Sequence, residues 1–559
     1  MNEQQKGFTL GLRGSSRPGE AALDRGERQD LAPRGLMQQA IEEGERVRLM
    51  RDGVLNNASL LISGLIGIVL VPVMLKGLGV ESYGLWIAAF SVAGTVGLFD
   101  FGLGMCVTRE VAASLNSGQG SETAPFVKAA GIVFFLVGAV GGILIATLGL
   151  PLSSGLHLSA ANRQIAPAVF ALAGAFFLAD RLLAFTTAVL RGLRRFDITN
   201  LLAIIAALFR AVGIIALIKV GTGLVAVLMW QVVATAAPAL AGQWVVGRLD
   251  GKFRFRLGRF NWNMVRAHLP FGLASQLTTI VEVMIWDMVP LVVGLVLGSH
   301  WIAPYYIAQR FPTSVGPVIW SIAEALFPAV SQHQRDQEMA RTREILEVGT
   351  RWIVVVALPL CLGLWVVAPK LLPAWVGNVP PGSTLILRLV TAAVFVEGVA
   401  AASIQVLWGR GALRTMVIIP CCLMVTSLGL SLVLLPRIGI VGAAWGLVVP
   451  MFLAALVYLH IGARTCGIRV WDLISTSFGG LLLPILAFLA ISLSINSLTG
   501  PGWTSVVAAL LGGGLGYLIT FLFCGAREEE LTLVRKLVEA PRAGRLFSGG
   551  DHEGGGDLF

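Results

Sequence analysis

Residues 473–526 read LISTSFGGLLLPILAFLAISLSINSLTGPGWTSVVAALLGGGLGYLITFLFCGA, without one charged side chain. A helix rises 1.5 Å per residue and the hydrocarbon core of a bilayer is about 30 Å thick, so this stretch is too long for one crossing. The run NSLTGPG at 496–502 is turn chemistry and divides it into two spans. Such a segment has nothing to offer water, and its length fits a membrane rather than a soluble core.

The rest of the chain has the same character. Of 559 residues, 56% are hydrophobic and 13% charged, against roughly 25% charged in an ordinary soluble domain. Apolar runs at 54–75, 84–108, 129–150, 164–190, 198–217 and 223–246 predict six spans. After a basic linker, 248–267, six more follow at 268–297, 301–331, 352–369, 385–408, 415–435 and 438–463. With the pair in 473–526 the fold class is an all-α polytopic membrane protein of about fourteen transmembrane helices. Residues 1–53 mix nine Lys/Arg and nine Asp/Glu up to Asp52 without the apolar core of a signal peptide. They are expected to be a disordered cytoplasmic tail, and 527–559 a second cytoplasmic tail.

The six cysteines, Cys106, Cys361, Cys421, Cys422, Cys466 and Cys524, show neither a C-x-x-C pair nor a neighbouring cluster of histidines, so no metal or disulfide framework is expected. The formal charge of +10 does not imply nucleic acid: no Lys/Arg stripe interleaved with aromatics occurs, and basic loops beside spans follow from topology alone. Without a Gly-rich loop followed by Lys, ATP hydrolysis is not expected, and no cofactor is implied.

Orientation follows from the loops, because cytoplasmic loops retain positive charge. With the N-terminus inside, the inner loops hold Arg109, then Arg191, Arg194 and Arg195, then Arg248, Lys252, Arg254, Arg256, Arg259 and Arg266, then Arg335, Arg341, Arg343 and Arg351, then Arg410 and Arg414, and last Arg464 and Arg469. The outer loops hold only Lys76, Arg163, Lys219, Lys370, Arg388 and Arg437. Both termini are expected in the cytoplasm, and the outer loops are too short for a periplasmic domain.

Sliding the chain against itself reveals a repeat. Leu78-Gly79 recurs as Leu297-Gly298 and Val96-Gly97 as Val315-Gly316, both at an offset of 219; Val220-Gly221 aligns with Ile438-Gly439 at 218. Val189-Leu190 followed by Gly192 recurs as Val406-Leu407 followed by Gly409 at 217. Residues 54–247 and 268–463 are therefore read as two parallel six-helix bundles, related by a pseudo-two-fold axis along the membrane normal, with 473–526 appended. Such halves enclose a substrate site between them.

A charge at the bilayer centre costs about 2.5–3.5 kcal/mol on insertion scales, so each intramembrane ionisable residue needs a partner, water or a function. Arg310, Glu282, Asp287, Glu324, Arg210 and Glu397 are the candidate substrate-binding residues. Arg310 lies nine residues into the eighth span, about 14 Å deep, and Glu324 falls within about 40° of the same helix face. Pro304, Pro312, Pro317 and Pro328 make this span a candidate for bending. The competing reading pairs Arg310 with Glu282 or Asp287 for packing alone. Asp180 and Arg181 are adjacent and nearer the inner surface, where structural pairing or snorkelling is expected. Asp100 lies close to the inner interface, where capping competes with transport.

The blocks LGVESYGLW at 78–86, FDFGLG at 99–104, TREVA at 108–112 and GIVGAA at 439–444 resemble the polysaccharide flippases of the multidrug/oligosaccharidyl-lipid/polysaccharide exporter superfamily. The resemblance covers roughly 55–526. It implies a V-shaped pair of bundles that alternates access, moving an undecaprenyl-diphosphate-linked glycan from the cytoplasmic to the periplasmic leaflet of a bacterial inner membrane. Membrane lipids, a glycan polymerase and glycosyltransferases are the implied partners. Lipid II flippases of the superfamily use arginines on the first, second and eighth spans, and only Arg310 has a counterpart here. Drug exporters carry a carboxylate in the first span, where this chain has Asn56 and Asn57. A cation-coupled drug or small-molecule exporter is the alternative reading. A membrane-embedded glycan enzyme would need catalytic groups on a sizeable outer loop, and the outer loops here are short.

Overall fold

The computed structural model describes residues 62–117, 120–256, 260–326, 339–528 and 530–532, together with Ser59 and Val330. Ile62–Phe559 forms one compact unit. The expected tails fall almost entirely outside the described residues. Every regular element described is a helix.

The first half comprises α1 Ile62–Leu78, α2 Val80–Gly97, α3 Leu103–Ser117, α4 Gly120–Gly155, α5 Ala160–Gly192, α6 Phe196–Lys219 and α7 Leu224–Leu249. The second comprises α8 Trp262–Trp286, α9 Met288–Leu297, α10 Ile302–Glu324, α11 Met339–Val376, α12 Ser383–Gly409, α13 Leu413–Ile438 and α14 Ile440–Thr465. α15 Val470–Phe478, α16 Leu482–Leu498 and α17 Trp503–Thr520 follow. Within the first half α5 packs on both α4 and α7; within the second α14 packs on both α12 and α13; the appended pair α16 and α17 lies on α11.

Nine of these helices are long and apolar enough to cross a membrane, or ten if the bent pair α15–α16, angled at 54°, is one span. The count of fourteen is not reached on this measure. The stretches that fall short are the first, second, seventh and eighth, and each falls short for a visible reason. α1 is described only from Ile62. The second expected span breaks between α2 and α3, where Phe101 and Gly102 both turn left-handed at φ 56° and 65°. In the seventh, most side chains from 273 to 282 lie outside the described residues, which leaves Val283–Leu297 to be judged; α8 and α9 meet at Asp287. The eighth, α10, carries Arg310 and a polar face. It runs on as one helix through Pro312 and Pro317, so its prolines do not interrupt it. Pro328 lies outside the described residues.

The repeat is written into the turns. Gly79 between α1 and α2 has φ 82°, ψ 162°, and Gly298 between α9 and α10 has φ 102°, ψ 156°. Both occupy backbone space that a side chain would strain. After α5, Arg195 N–H donates to the Leu190 carbonyl at 2.9 Å across a left-handed Arg194; after α12, Ala412 N–H donates to the Leu407 carbonyl at 3.0 Å across a left-handed Gly411. α6 and its counterpart α13 are the least covered of the spans, each only 11% buried in its most apolar window. Their outer faces offer Leu201, Ile205, Val212, Ile418, Val425 and Val433 to the surroundings, as lipid-facing helices do.

Candidate substrate cavity

α10 begins where Gly298 ends the preceding helix, with Pro304 in its first turn, where a missing N–H costs nothing. Along it Tyr306, Arg310, Thr313, Pro317, Trp320 and Glu324 recur at three- and four-residue spacing, which places them in one stripe. All six line a cavity of about 630 Å³ inside the second half. Asp287, at the α8–α9 break, and Glu397 on α12 line it as well. Four of the expected site residues, Arg310, Asp287, Glu324 and Glu397, thus share one cavity. Glu282 sits on α8 with its side chain outside the described residues, as does the side chain of Asp100.

Arg310 is held at the boundary between the halves. Its guanidinium lies against the backbone of Gly67 on α1, where an added Cβ would collide with Nη2. The neighbouring Ile68 carbonyl accepts a hydrogen bond from Trp375 Nε1 of α11 at 3.0 Å, and Phe311 packs edge-on against that indole with ring centres 4.6 Å apart. Gln309 Nε2 donates to the Trp286 carbonyl at 3.3 Å, tying α10 to the end of α8. Arg310 Nε is buried without a hydrogen-bond partner. Among the described residues no carboxylate comes within ion-pair distance of Arg310, so the pairing with Asp287 expected on the packing view is not formed. Leaving such a charge uncompensated in a low-dielectric interior is costly.

Arg210 stands apart from this group. It lies on α6, its Nε buried without a hydrogen-bond partner, and the carboxylate acting on it electrostatically is Asp180. Asp180 pairs with Arg181 at 2.7 Å, and Arg181 also sits 5.1 Å above the Phe177 ring. This matches structural pairing, yet both also line a second cavity of about 390 Å³ between α2, α5 and α8. The signal for that cavity was in α2 rather than in the charges, since Gly94 and Gly97 leave one of its faces bare.

The two halves meet at both ends of these cavities. At one end α2 touches α9 and α10: a Cβ on Gly84 would stand 2.6 Å from the Ser299 carbonyl oxygen, and Tyr83 meets Tyr306 edge-on with ring centres 6.5 Å apart. At the opposite end α3 and α4 touch α8. The His268 ring lies 4.0 Å from that of Phe126, its Nε2 is 3.5 Å from Glu110 Oε1, and Gly272 approaches the Phe101 carbonyl more closely than a Cβ would allow.

The sequence profile described as "Polysaccharide biosynthesis protein" matches residues 78–379, more than half of the chain. The chain belongs to the polysaccharide biosynthesis protein family. A relative of this polysaccharide biosynthesis protein, a Shigella flexneri protein named as a candidate O-antigen transporter, is 22% identical over 433 residues, covering 75% of this chain and 99% of the relative. In fold, the polysaccharide biosynthesis protein is similar to the lipid II flippase MurJ in an inward closed conformation, with a TM-score of 0.63 and 16% identity over 84% of this chain and 98% of that one. It is also similar to an inward-facing multidrug resistance transporter of the MATE family and MOP superfamily, with a TM-score of 0.60 and 16% identity over 75% and 95%. The protein is therefore a member of the polysaccharide biosynthesis protein family with several helices long and apolar enough to cross a membrane, in a fold similar to those of MurJ and the MATE transporter.

Proposed function

We propose that this transporter flips an undecaprenyl-diphosphate-linked oligosaccharide from the cytoplasmic to the periplasmic leaflet of the bacterial inner membrane by alternating access. The observation that carries the reading is Arg310: a guanidinium fixed at the junction of the halves, facing a large cavity, with no carboxylate partner among the described residues. A diphosphate leaving water needs a replacement for its hydration, and the planar fork of an arginine matches phosphate oxygens two at a time. The family and the O-antigen relative support a glycan as cargo. The contacts at both ends of the cavities supply the two closures that alternating access requires, each opened while the other holds.

Deleting the gene should stop export of the surface glycan and leave its lipid-linked precursor on the cytoplasmic leaflet. Restoring the wild-type gene should recover export, Arg310→Lys should recover part of it, and Arg310→Ala none, at equal membrane abundance. Normal export by Arg310→Ala would refute the role of the guanidinium. The MATE-like fold leaves cation-coupled export of a small molecule as the second reading. It would be favoured if the deletion changed drug sensitivity and left the glycan intact.

A further inference from the structure

We infer that the second cavity, between α2, α5 and α8, is the subsite for the first sugar of the cargo, separate from the site of its diphosphate. The inference rests on the flippase reading and assigns to this cavity a saccharide ring, recognised by stacking and by hydrogen bonds.

The lining has the chemistry that a pyranose needs. Phe90 and Phe176 line it, ring centres 4.8 Å apart at 60° to each other. Aromatic faces carry negative quadrupole and attract the polarised C–H bonds of a sugar face. Hydroxyls need donors and acceptors around the same space. Asp180 offers an acceptor-only carboxylate beside Arg181, which donates to it at 2.7 Å and to the Gly97 carbonyl at 3.5 Å. Gln276, 6% exposed, lines the cavity too, its Nε2 donating a long bond of 3.4 Å to the Leu98 carbonyl. About 390 Å³ lies within the range of small-ligand sites.

Position gives the second argument. The two cavities adjoin where Gly94 of α2 approaches Asp287. Gly94 lines the second cavity, and a Cβ placed on it would stand 3.2 Å from Asp287 Oδ2, which belongs to the first. A sugar bonded directly to a diphosphate at Arg310 has to sit in a neighbouring space, and this is the neighbouring space with both stacking surfaces and hydrogen-bonding groups. Because α2 and α5 belong to one half and α8 to the other, a ring held there touches both halves.

The test uses the full-length protein in nanodiscs and short-chain prenyl diphosphates as probes, either bare or carrying one hexose or one N-acetylhexosamine. The wild type should bind at least one sugar-bearing probe ten-fold or more tighter than the bare one. Phe176→Ala and Gln276→Ala should lose that ratio while binding the bare probe as the wild type does, which also shows that they are folded. Arg310→Ala should lose affinity for all probes. If the wild type binds bare and sugar-bearing probes equally, or if the two variants keep the ratio, the subsite is refuted while the flippase reading stands. If the wild type binds no prenyl diphosphate, the flippase reading fails and the subsite with it.

Discussion

Arg310 and Gly67 occupy one another's space: the guanidinium of the first lies where a side chain on the second would be. The relationship joins the halves, since Gly67 belongs to α1 and Arg310 to α10, and it ties a charge to a glycine two hundred residues earlier. Gly67→Val should therefore displace the guanidinium and reduce glycan export at least ten-fold at normal abundance. Gly64→Val, at a position with open space around its Cβ, should be tolerated. Equal export by both variants would show that the position of Arg310 is not fixed through Gly67.

A second prediction concerns the closure between α3 and α8. Gly272 approaches the Phe101 carbonyl too closely for any side chain, so Gly272→Leu should hold that end apart. A cysteine at Gln276, in a background without the native cysteines, should then react with a membrane-impermeant thiol reagent from the cytoplasmic side several-fold faster than with Gly272 intact. Unchanged labelling would mean that this contact does not close the path.

The appended helices are fastened to α11 at two points. Arg351 and Glu530 form a buried ion pair, 2% and 6% exposed, and Arg351 also donates to the carbonyls of Gly479 and Gly525, each at 2.7 Å. Lys370, nineteen residues and about 28 Å further along the same helix, donates to the carbonyls of Asn496 and Thr499 where α16 ends. Removing one member of a buried pair strands the other, at a cost of about 3–5 kcal/mol. Arg351→Ala and Glu530→Ala should each lower membrane abundance and thermal stability, and Arg351→Met with Glu530→Leu should lose less than either. Full stability of Arg351→Ala would contradict the assignment.

Orientation is open to a direct test. Reporter fusions at Gly251 and Gly411 should read cytoplasmic and fusions at Gly155 and Gly382 periplasmic. A periplasmic signal at Gly251 would invert the proposed direction of transport.

Much of this was legible in the residues. Hydropathy identified the class because a bilayer leaves long apolar runs no alternative, and the repeat was readable because paired glycines such as Gly79 and Gly298 hold the same turn. The shared face of Arg310 and Glu324 followed from helical spacing alone. The breaks at Phe101 and Asp287 were not visible, since nothing in the local sequence distinguishes them from the prolines of α10, which stays unbroken. The second cavity was missed for a different reason. Asp180 and Arg181 look like a self-contained pair until α5 is packed on α2. A glycine such as Gly67 or Gly94 shows its purpose only when the side chain that fills its space is known. Arg210, chosen by its depth, faces Asp180 rather than the main cavity, because depth along a helix does not say which neighbour covers it.

The central claim is that Arg310 carries the diphosphate of a lipid-linked glycan through the membrane. Its most direct measurement is the rate at which purified protein in proteoliposomes moves an undecaprenyl-diphosphate oligosaccharide between leaflets, read by its accessibility to an external glycan-cleaving enzyme. The account predicts fast exchange with wild type, slower exchange with Arg310→Lys, and exchange no faster than protein-free liposomes with Arg310→Ala. Equal rates for wild type and Arg310→Ala would contradict it.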